Sequence, residues 1–283
     1  MKSTILHKLR TSALATLIAL AACLPQASQS KNAGENQAAT EPPSAQPRSG
    51  TAIDSFHLPR DLEIELAMSA LPPHLKQQAT IYVLNPAKGF EVARKGTNGF
   101  HAFVARTGDD AFHGSWELTE YSQDVIYPVS FDDAGSKANM KVFFDAAELQ
   151  AKGTPPAELK RLIQQRYKTG YYKPPERAGV SYMMQPMTRT YDNPVKSNKI
   201  ETWNGPHVMY LAPNASNQDI GGAEPGIATL PFIIQEGPHG FIVQHVGEKE
   251  RAEITREHAP MLKRLCELNP IWCLPKSAHG HSR

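Results

Sequence analysis

Residues 80–106 read TIYVLNPAKGFEVARKGTNGFHAFVAR, and this stretch carries the clearest strand pattern of the chain. Three short runs rich in Ile, Val, Tyr and Phe occupy residues 80–84, 90–94 and 100–106. The pairs between them are typical of tight turns: Asn85-Pro86, Lys88-Gly89 and Asn98-Gly99. The stretch therefore predicts three consecutive strands that form an antiparallel meander.

Helices are predicted before and after this stretch of the chain. The first covers residues 59–71 and is stopped by Pro72-Pro73. Further along, Ser136 is expected to cap a helix that ends at Gly153, with an apolar stripe of Met140, Phe143, Phe144 and Ala147. A second central helix runs from a Thr154 cap to Gly170, which suits a left-handed C-terminal cap.

Strands resume after the central helices, at residues 180–184, 207–211, 232–235 and 241–246. Two long connections, 185–206 and 212–230, separate them, and loops of that length are often functional. From Glu248 the pattern is helical, with a break at Pro260. We expect an α+β fold with a mainly antiparallel sheet and with helices inserted mid-chain and at the C-terminus.

The first 22 residues have the pattern of an export signal. Lys2, Lys8 and Arg10 form a positive start, and the apolar run at 11–22 is far shorter than the ~20 residues that span a membrane. The following Leu20-Ala21-Ala22-Cys23 resembles the bacterial lipobox, which implies cleavage before Cys23 and its acylation. The alternative is an ordinary secretory signal cut near Ala27. Leu24 weakly favours the outer membrane, with the protein facing the periplasm.

Residues 24–50 are rich in Ala, Gln, Ser and Pro and contain no aromatic side chain. Such a segment cannot bury enough apolar surface to offset its ordering entropy, and we expect a tether with a span of roughly 30 Å. The predicted organisation is a signal peptide at 1–22, a lipidated cysteine and tether at 23–50, an α+β domain at 51–247 and a helical C-terminal tail at 248–283.

The charge balance argues against nucleic-acid binding. Three of the 30 Lys and Arg residues and none of the 28 Asp and Glu residues lie in the predicted signal, so 27 basic and 28 acidic residues remain after cleavage. A near-neutral protein lacks the basic surface that such binders need. We therefore expect the lipid at Cys23 to hold the protein to the membrane, with a small molecule, a glycan or an envelope protein as its partner.

Two cysteines remain after Cys23, and both lie near the C-terminus. Cys266 and Cys273 are seven positions apart, and in an oxidising compartment they can close a small disulfide loop. Buried free thiols are the alternative.

The histidines suggest a candidate site. His207 and His239 each follow a Gly-Pro turn and precede a strand. If these strands were neighbours, both imidazoles could face one rim together with Asn217 and Asp219 of the 212–230 loop, and His101 could join them. His207, His239 and Asp219 are the catalytic candidates. The alternative is that each histidine only stabilises its own turn.

The sequence lacks the common catalytic and cofactor motifs. There is no HExxH segment, and Gly179-Val180-Ser181-Tyr182-Met183 misses the second glycine of a nucleophile elbow. His239 and His245 share a strand face, but their separation of roughly 20 Å rules out a common ion. We therefore predict no metal site and no cofactor.

A basic segment follows the central helices. Residues 160–177 hold six Lys and Arg residues and one acid, with Tyr167, Tyr171 and Tyr172 between them. Tyr and Arg could bind an anionic envelope polymer or a partner protein through stacking and charge. Alternatively, the segment is a solvated helix face followed by a proline-rich loop.

From about Glu63 to Val246 the chain resembles a group of uncharacterised exported bacterial proteins. The resemblance rests on residues 96–100, 206–213, 217–221 and 237–239, and it implies location and extent but no mechanism. Whether the protein is an enzyme is left open, and a non-catalytic envelope lipoprotein that binds a ligand is favoured. The alternative is an exported hydrolase, with or without a metal ion, around His207 and His239.

Overall fold

A computed structural model describes residues 58–106, 125–191, 199–222 and 230–275. The predictions for the signal, Cys23 and the tether lie outside this range. The helices are α1 (Arg60–Ser69), α2 (Pro73–Lys76), α3 (Asp133–Ala151), α4 (Pro156–Lys168), α5 (Glu248–Glu257) and α6 (Ala259–Leu268). The strands are β1 (Thr80–Asn85), β2 (Gly89–Arg94), β3 (His101–Ala105), β4 (Tyr127–Phe131), β5 (Val180–Met183), β6 (Thr188–Tyr191), β7 (Ile200–Trp203), β8 (His207–Leu211), β9 (Phe232–Gln235) and β10 (Phe241–His245).

The predicted meander is wrong in one connection. β1 and β2 form the expected antiparallel hairpin, but β3 pairs with the other edge of β1 and runs parallel to it, so the strand order is β2-β1-β3-β4. The crossing depends on Gly96, where a Cβ would lie 2.2 Å from the carbonyl oxygen of Gln78. The amide of Thr97 donates to the same carbonyl at 2.7 Å. This close backbone approach sends the chain across the end of β1.

A second sheet has the order β5-β8-β10-β9, and every pair in it is antiparallel. The two sheets meet where β4 lies beside β5: the Ser130 hydroxyl donates to the carbonyl of Tyr182 at 2.8 Å, and the Asp132 amide donates to the carbonyl of Val180 at 3.0 Å. The chain combines helices with mainly antiparallel sheets, which confirms the predicted α+β class.

The 185–206 connection is not a simple loop. It contains β6 and β7, which form an antiparallel pair, and Ile126 bridges to Arg189 beside it. Buried Thr188, Thr190 and Tyr191 place this pair against the core. The sequence prediction missed it, along with β4, whose five residues are all buried.

α3 packs on the first sheet and α4 packs on α3, and together they define where the site lies. α3 begins four residues earlier than predicted: Asp132, not Ser136, is the cap, and its Oδ1 accepts from the Gly135 amide at 2.8 Å. Gly170 ends α4 in the predicted left-handed conformation, with φ of 66°. The chain then turns back and carries Tyr171 and the following residues toward α3.

The C-terminal helices share a core with the N-terminal helix. Met261, Leu265 and Trp272, each at most 1% exposed, belong to one apolar cluster with Leu62 and Leu66 of α1. A disulfide joins Cys266 to Cys273 across the end of α6, as predicted, with the Cα atoms 4.5 Å apart. Among the described helices, none is long and apolar enough to cross a membrane.

Candidate ligand-binding site

A surface groove lies between the N-terminal half of α3 and the chain that follows α4. Its volume is about 330 Å³. One wall is formed by the first turns of α3 and the other by the proline-rich segment 173–177. The lining residues are Asp133, Ala134, Lys137, Ala138, Lys173, Pro174, Pro175, Glu176 and Arg177.

The groove carries more positive than negative charge. Asp133 is shared by two cations, Lys137 Nζ at 2.9 Å and Arg177 Nη2 at 3.6 Å, which hold the pKa of its carboxyl below the ordinary value, with the Lys137 hydrogen bond as the main cause. Within the described residues Lys173 has no ion-pair partner. One wall therefore offers a cation whose charge is not already neutralised.

Tyr171 extends this groove along α3. Its ring is 46% exposed, and two cations lie against it: Lys141 Nζ is 4.6 Å and Arg166 Cζ is 5.1 Å from the ring centroid. Lys141 is one helical turn beyond Lys137, so both lie on the same face of α3. A hydrogen bond with Tyr171 and another with Asp145 raise the pKa of Lys141, so this ammonium group remains charged.

Asp145 organises the cations around Tyr171. It accepts from Lys141 Nζ at 3.1 Å and from Arg166 Nη1 at 2.7 Å, and its carboxylate is only 12% exposed. The Tyr172 hydroxyl also donates to it at 3.3 Å. One buried carboxylate thus fixes three side chains from α3, α4 and the segment after α4. We call the groove together with Lys141, Asp145, Arg166 and Tyr171 the Tyr171 site.

His239 packs against the tyrosines of this site. Its ring meets Tyr167 edge-on with centroids 5.2 Å apart, and Tyr167 packs in turn on Tyr172 at 4.8 Å. The imidazole hydrogen-bonds to the backbone of Tyr172, and burial, the larger effect, lowers its pKa. A residue predicted to face the 212–230 loop therefore supports the tyrosine cluster instead.

The predicted shared site of His207 and His239 is wrong. In the antiparallel register of β8 and β10, His207 lies opposite His245, whereas Phe241, two residues after His239, lies opposite Leu211. His207 and His239 are therefore at opposite ends of these strands, separated by at least four residues at ~3.3 Å each. A single rim cannot hold both imidazoles.

Asn217 and Asp219 have structural roles. The Asn217 side chain bonds to the backbone of Ile233 as a neighbouring strand would. Its Oδ1 accepts from the Ile233 amide at 2.8 Å, and its Nδ2 donates to the Ile233 carbonyl at 3.2 Å. Asp219 Oδ2 accepts from the amide and the hydroxyl of Ser216, both at 2.8 Å. These bonds fold the start of the 212–230 loop; residues 223–229 lie outside the described residues.

His101 lies apart from the other predicted site residues and near Asp133, at the start of α3. Its Nδ1 bonds to the Tyr82 hydroxyl at 3.0 Å, and the two rings stack with centroids 5.9 Å apart. Burial, the dominant effect, lowers its pKa, while the nearby Asp133 carboxylate acts in the opposite direction. His101 is thus the one predicted ligand residue that is electrostatically linked to the groove.

The arrangement has the chemistry of an anion-binding surface. Where the chain is described, no group of three or more His, Cys, Asp or Glu side chains is placed to hold a metal ion. The Tyr171 site combines cations, hydroxyl and amine donors and apolar surface from Pro174, a combination that can bind an anion.

The sequence indicated half of this site. Residues 160–177 stood out through their Tyr, Lys and Arg content, but the contributions of α3 were missed. The available signal was the series Asp133, Lys137, Lys141 and Asp145, whose spacing of four places all of them on one helix face.

Comparisons with known proteins add no relative: no protein-family model, curated protein or solved structure matches this chain.

Proposed function

We propose that this protein is a lipid-anchored envelope protein that binds an anionic glycan, without catalysis, at the Tyr171 site. The observation that carries the proposal is the groove of about 330 Å³ whose walls hold Lys137, Lys173 and Arg177. Together with Lys141 and Arg166, five cations stand against the three carboxylates of Asp133, Asp145 and Glu176.

The chemistry of the lining favours a carboxylated or phosphorylated sugar chain. Arg and Lys bind such groups through charge-assisted hydrogen bonds, which are stronger than neutral ones. The groove is open to solvent, and Lys141, one helical turn beyond its lining residue Lys137, lies against Tyr171, so a segment of polymer could contact both. The exposed Tyr171 and Pro174 supply apolar surface for the faces of sugar rings.

The cellular location belongs to the same proposal. The lipobox-like Leu20-Ala21-Ala22-Cys23 supports anchoring through acyl chains, and two or more chains are enough for stable attachment. The following segment, at roughly 30 Å of span, would hold the domain above the lipid headgroups, where envelope polysaccharides are within reach.

Calorimetric titration with oligogalacturonate, a carboxylated glycan, tests the binding proposal, with a neutral dextran oligosaccharide of equal length as the reference. We expect binding of the acidic oligomer that weakens with salt, and at least tenfold weaker binding of the neutral one. The double substitution Lys173→Gln and Arg177→Gln should reduce the affinity at least tenfold.

The matched control removes two charges elsewhere: Lys249→Gln on α5 and Lys263→Gln on α6, both at exposed side chains. The control should bind as the wild type does. Equal losses in both variants would mean that net charge alone attracts the oligomer, and equal binding of the neutral oligosaccharide would contradict an anion site.

A further inference from the structure

His207 and His245 form a cross-strand pair whose geometry is independent of the Tyr171 site. They lie directly opposite each other in the register of β8 and β10, and their side chains point to the same face of the sheet. The ring centroids are 5.2 Å apart. His207 is 7% exposed, so the pair lies at the margin of the core.

The ring separation matches the requirement of a shared metal ion. A zinc–nitrogen bond of ~2.1 Å plus ~1.1 Å to the ring centre puts each centroid ~3.2 Å from the ion, and a tetrahedral angle then separates two centroids by roughly 5 Å. Packed aromatic rings also adopt this distance, so the roles of the ring nitrogens decide between packing and coordination.

Both rings are oriented by backbone carbonyls. His207 Nδ1 donates to the carbonyl oxygen of Gly205 at 2.7 Å, which leaves Nε2 as the unprotonated nitrogen. His245 donates to the backbone of Pro206, which has no amide hydrogen and can only accept. Metal-binding histidines typically use one nitrogen in this way and keep the other for the ion.

The protonation state also favours coordination. Burial, followed by the neighbouring His245, lowers the pKa of His207 to about 4, and burial together with Arg251 lowers the pKa of His245. Both imidazoles are therefore neutral at pH 7, and a metal need not displace a proton from either. Arg251, which disfavours a cation, has Glu248 at 3.4 Å as a partially compensating charge.

We propose that His207 and His245 bind a divalent transition-metal ion such as Zn²⁺ or Cu²⁺, with water in the remaining coordination positions. Imidazole is a preferred ligand of these metals. Because the described residues offer two ligands, the affinity should be modest, and the metal should be exchangeable.

Zn²⁺ titration of the wild-type protein, followed by the NMR signals of the imidazole rings, tests the proposal directly. We expect the rings of His207 and His245 to shift together as one site fills, while His101 and His239 stay unchanged. Zinc that shifts neither ring of the pair, or only other histidines, would overturn it.

A variant comparison gives a second measurement. His207→Asn should weaken Zn²⁺ binding at this site at least tenfold, read from the remaining His245 signal. His74→Asn, a substitution on the exposed face of α2, should change nothing. Should His207→Asn fail to fold, the wild-type titration still decides the matter; a folded variant with undiminished affinity would contradict the pair as ligands.

Discussion

The imidazole of His207 is held neutral by its surroundings. It lies in the core beside His245, within the electrostatic influence of that ring, and its pKa falls to about 4 from an ordinary value of 6.5. Between pH 4 and pH 6.5 the folded and unfolded chains therefore bind different numbers of protons at His207. Folding stability should therefore depend on pH there.

Lowering the pH should destabilise the protein through this residue. Between pH 6.5 and 4 the unfolded chain takes up a proton at His207 and the folded chain does not, so the stabilisation is complete above pH 6.5 and is lost as the pH falls toward 4. A shift of this size corresponds to a loss on the order of 3 kcal/mol in the free energy of unfolding. Urea denaturation at pH 7 and pH 4.5 measures it.

His207→Gln should flatten this pH dependence, whereas His74→Gln at an exposed position should retain it. The lowered pKa values of His239 and His245 act in the same direction and will leave part of the slope in the variant. A His207→Gln protein with the full wild-type slope would show that His207 does not contribute.

Residue-level prediction from sequence succeeded where the signal was chemical and local. The Cys266–Cys273 pair and the left-handed Gly170 follow from spacing and from the freedom of glycine. The shared role of His207 and His239 failed because both follow the same Gly-Pro pattern, yet that pattern contains nothing about the register of the two strands. Asp145 was missed because its importance comes from residues 21 and 27 positions further along the chain.

At the scale of elements, α3 links the fold to the site. Its buried face carries Met140, Phe143 and Ala147 into the core, and an adjacent stripe supplies Asp133, Lys137 and Lys141. The start of the helix fixes where this charged face lies. The Asp132 cap holds that start next to β5, through the Asp132 amide and the Val180 carbonyl.

Substitutions at Asp132 and Ser136 show which of the two residues caps the start of α3. Asp132→Ala should reduce the free energy of unfolding by about 1 kcal/mol because the Gly135 amide loses its acceptor. Ser136→Ala should cost less than about 0.5 kcal/mol, since that residue lies in the exposed first turn. Urea denaturation of both variants at pH 7 provides the comparison. A larger effect at Ser136 would return the cap to the position that the sequence pattern indicated.

The sequence predicts the elements whose signals lie within a short stretch of the chain. The stripe on α3, the helix α4 and the β9–β10 hairpin have clear periodicity or turn signals. The same hairpin signal at Asn98-Gly99 did not lead to a hairpin, because the backbone contact of Gly96 and Thr97 with Gln78 moved β3 to the far edge of β1. Pairing of that kind depends on tertiary packing, which periodicity does not encode.

For the whole molecule, we propose a binding domain that is attached to a membrane. The domain presents a net basic groove on a chain with nearly balanced charge. A local excess of cations of this kind attracts anions without making the entire surface basic. The anchor and tether would keep the groove close to the envelope, so that moderate affinity is sufficient.

Cys23→Ser should abolish acylation and release the protein from the membrane. The expected result is loss of label from a radioactive or clickable fatty acid and a shift of the protein from the membrane to the soluble envelope fraction. The double substitution Cys266→Ser and Cys273→Ser, which removes the disulfide and leaves Cys23 intact, should keep both the label and the membrane location. A Cys23→Ser protein that remains in the membrane fraction would contradict the lipid anchor.

The most direct test of the Tyr171 site is hydrogen–deuterium exchange of the wild-type protein with and without a saturating carboxylated oligosaccharide. We predict slower exchange in residues 170–177 and in the first two turns of α3, with no change at residues 212–222 or at the β8–β10 end that holds His207. Protection confined to the 212–222 loop, or no protection anywhere despite measured binding, would contradict the central claim.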